Sequence, residues 1–169
     1  VRLKCGDPGV FGRSTEEMYA LKANGIPFEA VPGVTAACAA AATLGESLTE
    51  RGKVDALVPA TGHRHDGCAV PDQISDIKPG TCGALYMAVG AAPRIVERLQ
   101  EHRPNIPFDV QVIAKAQRAG QISFKCALKD LVGTLSAQAI VGEAILFVRW
   151  QRDLPQSDAI CLQRLEKTD

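Results

Sequence analysis

Residues 1–17, VRLKCGDPGVFGRSTEE, decide how the rest of this chain is read. Residues 1–4 alternate apolar and basic side chains as a short strand does, and Gly6-Asp7-Pro8-Gly9 breaks the alternation with turn residues. Ser14 and Glu17 stand at capping-box spacing, where the serine oxygen can accept the N3 amide while the glutamate reaches back to the cap amide. The spacing predicts a helix over 16–23, closed at Gly25. A strand, a glycine turn and a capped helix make an α/β crossover, and open α/β sheets collect ligands at the C-terminal ends of their strands. A Gly-Asp turn there brings backbone amides and one carboxylate to a ligand without Cβ interference. The same residues also form an ordinary turn in any α/β protein.

Outward from that segment, apolar runs and turn residues alternate. Residues 28–31 read as a strand, Pro32-Gly33 as its turn, and 35–44 as an alanine-rich helix ended by Gly45. Strands are expected at 56–61 and 82–87, the second followed by Gly90 and by a helix with Pro93 in its first turn that runs to about Glu101. Residues 110–114 and 122–127 bracket the turn at 117–120 as a strand pair, and 139–148 reads as the last strand. Residues 62–79 are polar and read as a loop with little more than one helical turn near 72–77. Interleaved helices and strands followed by a hairpin predict an α/β fold, a mixed sheet with flanking helices. The expected division is a domain over 1–148 and a tail over 149–169, charged and without sustained period.

A chain of 169 residues with 46% hydrophobic content suffices for one core. Nineteen basic and nineteen acidic residues cancel, so no global field draws it to nucleic acid or an anionic membrane. No apolar run reaches the roughly 18 residues of a membrane span, and the default expectation is a cytoplasmic protein. Six cysteines, at 5, 38, 68, 82, 126 and 161, contain no CxxC pair and read as reduced thiols. Cys38 and Cys82 are expected as small buried residues.

His63, His65, Asp66 and Cys68 place four potential metal ligands within six residues. Structural zinc sites draw ligand pairs from separate segments, so a solvated loop is the preferred reading and no metal is expected. Neither a GxSxG nucleophile elbow nor a GxxxxGK[ST] phosphate loop occurs.

KCGDPGVFGR, GIPFEAVPGVTAACAAA, SLTERG, ATGH, YMAVG and VIAKAQRAGQ follow one another in that order, and this series resembles the tetrapyrrole methylase family. The resemblance runs from Val1 to about Glu143. It implies that family's fold, with the first subdomain incomplete, since members begin with a strand and a Gly-Pro-Gly loop that this chain does not show. It further implies C-methylation of uroporphyrinogen III by S-adenosylmethionine to give precorrin-2, in sirohaem or cobalamin biosynthesis, by a homodimer. The sulfonium makes the methyl electrophilic and a pyrrole carbon is the nucleophile, so the protein mainly aligns the two and excludes water.

Carried over by position, the resemblance assigns Cys5, Gly6, Asp7, Thr35, Ala36, Met87 and Ala116 to the cofactor, and Phe11, Arg13 and His63 to the substrate. By residue type alone, Thr35 reads equally as a helix cap, and Met87 and Phe11 as core. Uroporphyrinogen carries eight carboxylates, which suits arginine forks; Arg51, Lys53, Arg64 and Arg118 are further loop cations to weigh, each also a plausible solvated charge. Two departures stand out. Cys5 replaces the family's glycine, which would strain a positive-φ position by about 1 kcal/mol or more. Ala88-Val89 stands where glycine directly follows the methionine. With the missing segment, these departures predict weak or absent activity for the chain alone. The alternatives are a non-catalytic fragment or a methylase of this fold with another substrate.

Overall fold

The computed structural model describes residues 1–63, 72–75 and 77–152. Its centre is a five-stranded sheet of β1 (Ala56–Thr61), β2 (Thr81–Tyr86), β3 (Asp109–Ala114), β4 (Ile122–Ala127) and β5 (Ala144–Trp150), in the order β1-β2-β5-β3-β4. β1 and β2 run parallel and the remaining pairs antiparallel. The mixed sheet is as expected, and so is the β3–β4 hairpin. The last strand begins later than expected. Before it, residues 131–137, to which the sequence pattern assigns no element, form a helix, α4 (Leu131–Ala137), because Leu131 and Leu135 fall one turn apart and bury together. β5 then continues through Arg149 and Trp150.

The register sorts the side chains onto two faces. On one, Leu85, Val110, Val112, Leu146 and Val148 pack beneath α3 (Ala92–His102) and α4. Pro93 stands in the first turn of α3, as expected. On the other, Cys82, Ala84, Tyr86, Ile113, Ile145 and Phe147 meet Ala37, Ala40 and Ala41 of α2 (Ala36–Leu44). Small side chains at i, i+3 and i+4 let this helix lie close on the sheet. Gly45 ends it at φ 63°, as expected.

The first 34 residues depart from expectation. Neither 1–4 nor 28–31 forms a strand, since neither finds a ladder partner among the described residues, and Val1, Leu3, Phe28 and Val31 are exposed. Helix α1 (Ser14–Ala23) buries none of its residues. Its capping box does not form: Arg13 is the cap residue, at φ 55°, and Ser14 lies inside the helix. Glu17 is drawn away by Lys4 at 2.8 Å and Arg2 at 3.4 Å, which hold its carboxyl below the ordinary range. Gly25, at φ 65°, does close α1, its amide donating to the Lys22 carbonyl. Cys38 points from α2 into solvent, against expectation, because the face of α2 on the sheet is that of Ala37, Ala40 and Ala41; Cys82 is buried. Among the described residues no helix is long and apolar enough to cross a membrane.

Candidate functional site

Four chain segments meet at the sheet end marked by Thr61, Tyr86 and Ala114. The first is the Gly6–Asp7 turn. Asp7 Oδ1 accepts the Gly9 amide at 2.7 Å and Oδ2 accepts the Gly33 amide at 3.0 Å, so one carboxylate ties the first turn to the Pro32-Gly33 turn. The two turns are in backbone contact: a Cβ on Gly33 would lie 2.3 Å from the Gly6 carbonyl oxygen. The position with positive φ is Gly6, at 73°, and Cys5 is not among the positive-φ residues. The strain expected at Cys5 is therefore absent, because the left-handed residue is one place further on and is still glycine.

Thr35 follows the second turn at the N-cap of α2, but its hydroxyl makes no capping bond. It lies 2.6 Å from the Tyr86 hydroxyl instead, which fastens the start of α2 to the end of β2. The Tyr86 ring is nearly buried and its centroid is 4.8 Å from that of Phe11, whose own ring is partly exposed. Phe11 is therefore a rim residue rather than core. Tyr86 is the group that the reading of the sequence missed. A phenol at the end of an otherwise apolar strand is a usable signal, because a buried hydroxyl needs a partner.

Met87 comes next, half exposed and at φ 51°. It is thus not core. Gly62, at the end of β1, touches this turn: a Cβ there would lie 2.6 Å from the Ala88 Cα and 2.7 Å from the Met87 carbonyl. The departure at Ala88 is thereby accommodated, since the residue facing it has no side chain. The fourth segment is the β3–β4 connection, in which half-buried Ala116 packs on the α2-side core between Lys115 at φ 51° and Gln117 at φ 61°. Six non-glycine residues have positive φ among those described, and five of them, Phe11, Arg13, Met87, Lys115 and Gln117, lie in these segments; Ala139 is the sixth. Such conformations cost on the order of 1 kcal/mol or more each and concentrate where a ligand is held.

The basic candidates are distributed less favourably. The Arg13 guanidinium is held by Glu16 through Nε at 3.1 Å and Nη2 at 2.5 Å, and that bond and charge raise its pKa further. Arg118 pairs with Glu143 in the Ala116 loop. Lys53 pairs with Glu50 at 2.5 Å and, with Arg51, precedes β1, at the end of the sheet away from Met87. His63 is exposed just after β1, its amide donating to Thr61 Oγ1 at 3.2 Å. Arg64, His65, Asp66 and Cys68 lie outside the described residues, and no group of three metal ligands occurs among those described.

At the opposite end of the sheet a cavity of about 680 Å³ is lined in part by Glu46, Asp109, Gln111, Lys125, Arg149 and Trp150. Its wall is a closed polar network: Glu46 accepts from Gln111 at 2.9 Å and from Lys125 at 3.0 Å, and pairs with Arg149 at 2.9 Å, while Arg149 also donates to Gln111. Burial raises the Glu46 pKa, but these donors and charges outweigh it and hold the carboxyl below its ordinary range.

The model of the tetrapyrrole (corrin/porphyrin) methylases matches residues 1–132. The chain belongs to the tetrapyrrole methylase family. It is 38% identical over 149 residues to a sirohaem synthase of Gluconacetobacter diazotrophicus, covering 88% of this chain and 32% of that protein. It is 34% identical over 152 residues to a chloroplastic S-adenosyl-L-methionine-dependent uroporphyrinogen III methyltransferase of Arabidopsis thaliana, covering 88% of this chain and 41% of that one. Among solved structures, a uroporphyrin-III C-methyl transferase from Thermus thermophilus, in complex with S-adenyl homocysteine, superposes with a TM-score of 0.70 at 26% identity, covering 85% of this chain and 59% of that one. The chain thus spans about a third of the length of the curated relatives it matches, and somewhat under two thirds of that structure.

Proposed function

We propose that this chain carries the cofactor-facing part of an S-adenosylmethionine-dependent methyltransferase that C-methylates uroporphyrinogen III to precorrin-2. The observation that carries the reading is the docking of the Gly6–Asp7 turn on the Pro32-Gly33 turn, locked by Asp7 and continued through Thr35 to Tyr86 and Met87. That arrangement exposes backbone and small residues from three segments at one sheet end, a form suited to a flat adenosine and a short amino-acid chain. S-adenosylmethionine, when bound, supplies an electrophilic methyl group. Gly6, Asp7, Thr35, Ala36, Met87 and Ala116 would hold it, with Cys5 beside them as an unstrained replacement for glycine.

The residues of this chain then have positioning tasks. Tyr86 fixes the start of α2 through Thr35 and backs the Phe11 ring, leaving that ring's exposed side for an apolar macrocycle. Arg13 and His63 would meet carboxylates at the rim; Arg13 must exchange Glu16 for a substrate carboxylate to do so. No protein nucleophile is needed, because the attacking atom belongs to the substrate. A homodimer is part of the same proposal, as the family resemblance implies. Titration of the isotope-labelled chain with S-adenosylhomocysteine, followed by amide chemical shifts, tests the reading. Saturable shifts confined to residues near 6–7, 35–36, 87–88 and 116–117 support it, and unchanged shifts there overturn it. Transfer of labelled methyl from S-adenosylmethionine to uroporphyrinogen III tests the substrate.

A further inference from the structure

The Ala116 loop is held in a costly shape. Lys115 and Gln117 flank Ala116 and both sit in the left-handed region, at φ 51° and 61°, although neither is glycine. Within the loop the Gln117 amide donates to Gln121 Oε1 at 2.9 Å and the Arg118 amide to the Lys115 carbonyl at 3.0 Å. One contact leaves the loop for a helix: Gln117 Nε2 donates to Thr43 Oγ1 at 2.8 Å, across 74 positions of sequence. The Thr43 hydroxyl in turn donates to the Ala39 carbonyl at 2.9 Å, so its lone pair faces the Gln117 amide. Donor and acceptor roles therefore run in one direction along the chain of bonds, which strengthens each of them.

Thr43 lies near the C-terminal end of α2, and Thr35, bound to Tyr86, stands at its N-terminal end. A rigid helix of nine residues thus joins the Tyr86–Met87 side of the candidate cofactor site to the Ala116 side. We propose that Gln117 is a positioning residue. By clasping Thr43 it holds the backbone at Ala116 at a set distance from Met87 and so fixes the width of the slot that receives the adenosine. This rests on the cofactor reading above and adds to it a residue, and a splint, which composition and spacing did not reveal.

The test is a double-mutant cycle on the whole chain, read by the affinity for S-adenosylhomocysteine and by amide hydrogen exchange at residues 115–118. Gln117→Met and Thr43→Val each remove one partner while keeping side-chain bulk. Each is expected to weaken binding about three- to tenfold and to speed exchange in the loop, as loss of one hydrogen bond does. The double variant should be no weaker than either single variant, and Thr43→Ser, which keeps the hydroxyl, should restore wild-type affinity. Independent, additive losses, or failure of the serine variant to restore binding, would show a purely structural role and overturn the proposal. Wild-type affinity in Gln117→Met would overturn it as well, leaving the cofactor reading intact. Absence of binding by the unmutated chain would instead remove the cofactor reading, and this inference with it.

Discussion

Substituting alanine at Gly33 tests whether the two docked turns form one binding surface. The added Cβ would lie 2.3 Å from the Gly6 carbonyl oxygen, 3.1 Å from its carbon and 3.3 Å from the Asp7 Cα. All three are backbone atoms, so no side chain can rotate away. Ordinary contact begins at 3.4 Å, and the turns must therefore separate by about 1 Å. The Gly33 amide, now 3.0 Å from Asp7 Oδ2, would move to about 4 Å, beyond hydrogen-bond range. A hydrogen bond to a charged group contributes about 1.5–3 kcal/mol, and solvent at these exposed turns reduces that to about 1–2 kcal/mol. Such a change lowers the docked-to-undocked ratio about 5- to 30-fold. Affinity for S-adenosylhomocysteine, which scales with the docked fraction, should fall by up to that factor, with faster exchange of the Gly9 and Gly33 amides. The melting temperature of the sheet should hardly move, because its core clusters do not include Gly33. Gly133→Ala, with open space around its Cβ on α4, is the control. If Gly33→Ala binds the ligand as Gly133→Ala does, the turns are not coupled and the reasoning fails.

Tyr86→Phe should weaken S-adenosylhomocysteine binding through loss of the 2.6 Å contact with Thr35, by about 0.5–1.5 kcal/mol, with the aromatic pair to Phe11 intact; unchanged affinity would count against a role for the hydroxyl. Glu46 is ionised more readily in the folded than in the unfolded chain, so its contribution is present above its ordinary pKa of 4.5 and is lost as pH falls through the lower folded value. Urea unfolding from about pH 7 to about pH 3 should show acid destabilisation that is shallower in Glu46→Gln, and an equal slope would refute the assignment. Among the cysteines of the described residues, thiol labelling of the native chain should modify Cys5 and Cys38 first, whereas Cys82, buried and with its thiol pKa pushed up by that burial, should react only after denaturation. Prompt labelling of Cys82 would contradict its place in the core.

Elements with their own local signals were legible in advance. β1, the β3–β4 hairpin, the Gly45 stop of α2 and Pro93 in the first turn of α3 follow from apolar runs and turn residues that act within a few positions. The turn residues Gly6 and Asp7 and the methionine turn were legible by their motif order. Alternation at 1–4 and the apolar run before Pro32-Gly33 at 28–31 predict strands, yet a strand also requires a partner ladder, which neither pattern reports. The capping box failed for a related reason: Glu17 fits the spacing, but two cations brought close by folding compete for it.

By itself, then, the sequence determined the α/β class, the helix stops and the family, because each depends on residue type at short range or on the order of motifs. Only the tertiary structure decided that Asp7 clamps a turn 26 residues away, that Thr35 serves Tyr86 rather than its own helix, and that Gln117 reaches Thr43. Those contacts join segments that no local rule relates. Their partners are chosen by the register of the sheet and the seating of α2 upon it, and both are settled by burial of the core as a whole.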